Sequence, residues 1–142
     1  MKYIELKNYK YQVVEDYSLK VNIYPEEDIF EPNEKKPFIK LSKKGILTIF
    51  EGYAWDGASG IAIDTKNFMR GSLVHDALYQ LMRQKRIKLD YREYSDQILK
   101  KICIEDGMSN IRAGWVYQAV RTFGESSAAP TNKKEQIILE AP

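Results

Sequence analysis

Hydrophobic and polar positions change their period near the middle of the chain. Up to about residue 55 the runs "YKYQVVE", "SLKVNIY", "PFIKLSK" and "GILTIFEGYAW" are rich in Tyr, Ile, Val and Phe and are broken by Pro, Gly and acidic stretches. That pattern predicts short strands, and "LSKKGIL" predicts a hairpin with Gly45 at its turn. Farther on, apolar positions recur at three and four. In "TKNFMRGSLVHDALYQLMRQKR" the residues Phe68, Gly71, His75, Leu78 and Met82 share one helical face. Leu99, Ile102 and Cys103 do the same in "DYREYSDQILKKICIEDG", which stops at Gly107. "SNIRAGWVYQAVRTFG" opens on Ser109 as an N-cap and closes on Gly124. The expected fold is therefore α+β: a small N-terminal antiparallel β-sheet followed by three packed helices and an extended C-terminal tail. Residues 1–124 form one expected domain, and 125–142, beginning "ESSAAPTNKK", form a polar tail that needs a surface, on its own domain or on a partner chain, to become ordered.

Composition changes this picture mainly by exclusion. A length of 142 residues suits one domain with a real core. Hydrophobic residues at 44% and charged residues at 30% are ordinary globular values. The net charge of +2 gives no strong nucleic-acid signal. Cys103 is the only cysteine, so neither an internal disulfide nor a thiolate metal cluster is available, and a core thiol in a reducing compartment is expected. The N-terminus lacks the apolar stretch of a signal peptide, and no run of about 18 apolar residues suggests a transmembrane segment. No dinucleotide fingerprint or phosphate loop is present, so no organic cofactor is expected. "RQKRIK", residues 83–88, is either a solvated helix end or a contact for lipid headgroups or a nucleic-acid backbone.

Candidate chemistry gathers around "WDGASG" and "LVHDALYQL". His75 is the only histidine and shares a face with Leu78 and Met82, so its imidazole points inward and needs a hydrogen-bond partner. Asp96 lies three residues before Leu99 and seven before Cys103, which also turns it inward. Antiparallel packing of the two helices would let the pair meet, with Asp96 fixing the imidazole tautomer and leaving the other nitrogen as a general base. Asp76 projects about 100° farther around the helix. With Asp56 and backbone carbonyls of the glycine loop it would supply oxygen ligands for calcium or another divalent cation. Ser59 or Ser72 beside His75 is a weaker nucleophilic alternative. A plainer account also stands: His75 and Asp96 as a satisfied core pair, Asp56-Gly57 as a turn, and Trp55 as a core aromatic.

"GYAWDGAS", "SLVHDALYQL", "YSDQIL" and "RAGWVYQAVRTFG" together resemble the phage and prophage family known as domain of unknown function 1353, over roughly residues 45 to 124. That resemblance implies a bacteriophage origin, with synthesis in the host cytoplasm, and a place in the virion or in its assembly is expected from a tail that docks on a partner. The spacing from "HDALY" to "SDQIL" is more distantly similar to the helix pair of secreted phospholipase A2 and the related domain of parvovirus capsids. This second resemblance implies His75 as the base that activates water, Asp96 as its orienter and Asp76 as a calcium ligand. It also implies carbonyl ligands around Gly57 and Gly60, and it matches Tyr79 to that family's tyrosine. Two functions compete on these grounds. One is a hydrolase acting on a lipid or cell-wall component of the envelope. The other is a non-catalytic virion protein in which the same residues form a buried hydrogen-bond network while the tail docks on other phage proteins.

Overall fold

The computed structural model describes residues 1–7, 10–57 and 65–129. Two compact units divide them, one of Met1–Asp56 and one that begins at Gly57.

The first unit is all β. Its strands are β1 (Tyr3–Glu5), β2 (Tyr11–Val13), β3 (Tyr17–Lys20), β4 (Ile29–Glu31), β5 (Ile39–Leu41), β6 (Ile46–Ile49) and β7 (Ala54–Trp55). They form two antiparallel sheets, ordered β1-β2-β7 and β3-β6-β5-β4. The single sheet expected from the sequence is thus two, because "GILTIFEGYAW" breaks after β6 and its last residues pair with β2 instead. Register explains the inner face of the larger sheet. Ile29 pairs with Leu41 and Leu41 with Leu47, while Glu31 pairs with Ile39 and Ile39 with Ile49. All six side chains are buried, as a period of two requires when one face of a sheet is covered. The β5–β6 hairpin turns at Gly45, whose φ is +80°. In the smaller sheet Trp55 is buried and meets the rings of Tyr3 and Tyr11 at centroid distances of 5.8 and 5.6 Å.

The second unit is helical. It comprises α1 (Lys66–Arg83), α2 (Arg92–Glu105), α3 (Asn110–Phe123) and α4 (Glu125–Ala128), with a 3₁₀ turn at Leu89–Tyr91. Helix α3 starts at Ser109, whose hydroxyl accepts from the Arg112 N–H at 3.2 Å. Its buried core joins Phe68 of α1, Leu99 and Cys103 of α2, and Ala113, Val116 and Val120 of α3. Helix α4 lies inside the stretch expected to be tail. It forms because Ala128 is buried with Tyr79 and Met82, so four residues of polar sequence gain a seat on α1. Residues 130–142, including the rest of the expected tail, lie outside the described residues. Among the described residues no helix is long and apolar enough to cross a membrane.

Candidate functional site: a buried carboxylate shared by three helices

Helices α1 and α2 run antiparallel. Arg70, near the start of α1, donates from Nε to Asp106 Oδ2 at 3.0 Å and from Nη2 to Asp106 Oδ1 at 2.9 Å, just past the end of α2. One residue on, Gly71 lets the two backbones approach. A Cβ added there would stand 3.0 Å from a Leu99 methyl and 3.1 Å from the Cys103 sulfur. Side chains one and two turns farther along α1, His75 and Tyr79, therefore reach the first turns of α2.

Asp96 is what they reach. His75 Nε2 lies 2.6 Å from Asp96 Oδ1, and the Tyr79 hydroxyl donates to the same oxygen at 2.6 Å. Arg121 of α3 donates from Nη1 to Oδ2 at 2.9 Å. The carboxylate is 0% exposed, and each of its oxygens has a donor. Burial acts to raise its pKa, but the hydrogen bonds from His75, Tyr79 and Arg121 outweigh it and hold Asp96 below the usual carboxylate range. Burial also pushes the Tyr79 hydroxyl well above the ordinary tyrosine value, and its bond to Asp96 adds to that. A carboxylate only accepts, so the bond places a proton on His75 Nε2, and in the neutral imidazole the lone pair is then on Nδ1. Nδ1 has no hydrogen-bond partner among the described residues, and 9% of the His75 side chain is exposed. The imidazole also stacks on Tyr79, with centroids 4.0 Å apart.

Arg92, at the first position of α2, completes the surroundings. Its Nη2 donates to the carbonyls of Val120 and Arg121 at 2.8 and 2.7 Å, capping the last turn of α3 just where Arg121 turns toward Asp96. Sequence reasoning missed both arginines. A basic residue in the last turn of a helix already has a reason to be there in the macrodipole, so nothing marked Arg121 as a partner of Asp96.

The other sequence candidates fall elsewhere. Asp76 is half-buried on α1. Trp55 and Asp56 belong to the strand unit, Gly57 adopts a φ of +69°, and Ser59 and Gly60 lie outside the described residues. The Ser72 hydroxyl donates to the Met69 carbonyl of its own helix at 2.9 Å. Among the described residues no three His, Cys, Asp or Glu side chains gather closely enough to hold a metal ion. Cys103 is fully buried, and burial, with the Asp106 charge adding to it, pushes its thiol up to about 11. Family models, curated proteins and solved structures all yield no match to this chain.

Proposed function

We propose that this is a bacteriophage protein whose helical unit hydrolyses an envelope component, with His75 as general base and Asp96 as its orienter. One observation carries the reading: the 2.6 Å bond from His75 Nε2 to a buried, ionised Asp96 fixes the tautomer in which Nδ1 is the basic nitrogen. Such a base takes a proton from water as the water attacks an ester or amide carbonyl. Tyr79 and Arg121 keep Asp96 anionic and in place. The phage origin rests on the sequence resemblance. Asp76 as a calcium ligand rests on the phospholipase-like resemblance, and Asp56 on the oxygen donors of the glycine loop in the sequence.

A second reading has its own support. A carboxylate of α2 with no exposed surface, bonded from both α1 and α3, is what a structural node looks like. On this reading the protein is a non-catalytic virion or assembly component, and its C-terminal tail docks on a neighbouring phage protein.

Hydrolysis of mixed phospholipid vesicles and of purified cell wall, with and without millimolar calcium, separates the two. For a hydrolase, His75→Ala abolishes the release of product while the purified variant retains a cooperative melting transition. Wild-type protein without hydrolysis in every arm would leave the structural node as the function of these residues.

A further inference from the structure

Among the described residues, the three most exposed large hydrophobic side chains all lie on the outer face of α3. Ile111, Trp115 and Phe123 are 71%, 72% and 71% exposed. With Ala119 they form one ridge at steps of four along a helix whose inner face, Ala113, Val116 and Val120, is buried. The flanking row, Asn110, Gly114, Gln118 and Thr122, is small or neutral, and a Cβ added at Gly114 would meet nothing within 4 Å. The charged residues of α3 are Arg112, half-buried, and Arg121, bound to Asp96. Neither ridge nor row carries a charge in a chain where 30% of residues are charged. Loss of charge with exposed aromatics marks the centre of a protein interface. An amphipathic helix that lies on lipid would instead flank its aromatics with Lys and Arg.

We propose that this face pairs with the same face of a second copy, α3 against α3 in antiparallel sense. The ridge is self-complementary. A two-fold axis at position 117 sets Ile111 opposite Phe123 of the other copy and Trp115 opposite Ala119, so the largest side chain meets the smallest, twice. Ridges at steps of four from both helices then interlock at a crossing near −50°. Open space over Gly114 admits the approach. Two aromatic rings of this exposure contribute on the order of 300 Å² per copy. The flanking row extends the contact toward the lower bound for a specific pair, about 1,200 Å² in total.

Sedimentation of the full chain from about 5 to 500 µM tests the pairing, because a small interface gives a dimer with micromolar affinity. Wild type is expected to shift from monomer to dimer across that range. Trp115→Glu and, independently, Ala119→Arg should each weaken association at least ~100-fold with the melting midpoint unchanged, as expected for replaced hot-spot contacts. Antiparallel register has its own arm. In Ile111→Lys/Phe123→Glu the new charges face each other only across the two-fold, so this double variant should associate at least ~10-fold more tightly than Ile111→Lys alone. Four results would overturn the proposal. These are a wild-type monomer at every concentration, a dimer that survives Trp115→Glu, equal affinities in the register arm, or a monomer whose Trp115 fluorescence shifts only on anionic vesicles.

Discussion

At the scale of single residues, the buried carboxylate decides what can be changed. Replacing Asp96 by Ala leaves His75, Tyr79 and Arg121 without their shared acceptor and should cost about 1–3 kcal/mol, the penalty of stranding buried hydrogen-bond donors. Tyr79→Phe removes only one of the two donors on Oδ1 and should cost about 1 kcal/mol. Chemical denaturation measures both, and an Asp96→Ala protein as stable as wild type would contradict the network. Much of this site was legible beforehand. An inward His and an inward Asp, each too costly to bury alone, had to find partners, and spacing placed them on faces that could meet. Tyr79 was reached through resemblance, not through its spacing. Arg121 was not reached at all, because a contact from a third helix leaves no periodic trace in the sequence of the first two.

At the scale of elements, the ends of α1 and α2 make a natural comparison. Both close with the same pair of reversed bonds. Lys85 N–H donates to Met82 O and Arg86 N–H to Leu81 O after α1, as Gly107 N–H donates to Ile104 O and Met108 N–H to Cys103 O after α2. The left-handed position is Gly107, at φ +99°, in one case and Lys85, at +59°, in the other. Only the first was readable, since glycine announces that conformation and lysine does not. Lys85→Gly should therefore stabilise the protein by up to ~1 kcal/mol, by relieving a side chain held in left-handed backbone. Gly71→Ala should act oppositely and lower the thermal midpoint, because its Cβ must push Leu99 and Cys103 away where α1 packs on α2. A midpoint unchanged by Gly71→Ala would mean the two helices separate without cost. The strands were harder to read. Two of the three residues of β1 are exposed, so it shows no alternation, and β4 sits between acidic residues and ends on a buried Glu31. Short strands whose burial comes from a neighbouring strand carry little signal of their own.

At the scale of the whole molecule, the groups around Asp96 set how stability depends on pH at both extremes. The folded-state pKa of Asp96 is depressed. Near the ordinary Asp value of about 3.9 the unfolded chain therefore binds this proton more readily than the folded one. Its contribution is fully present above that value and is lost as pH falls through the lower, folded-state value. Tyr79 has the opposite sign. Its folded-state pKa is raised, so above about 10, where an unfolded tyrosine ionises, the unfolded state gives up its proton first and stability falls as pH rises. Denaturation of wild type, Asp96→Asn and Tyr79→Phe at steps from about pH 3 to pH 11 separates these limbs, since each difference curve cancels the groups common to both proteins. The gap between wild type and Asp96→Asn should close toward acid. Wild type should lose stability relative to Tyr79→Phe only at the alkaline end. Two differences that stayed flat across the whole range would show that neither group titrates differently on folding. The buried carboxylate would then be a packing feature with no electrostatic hold on the three helices.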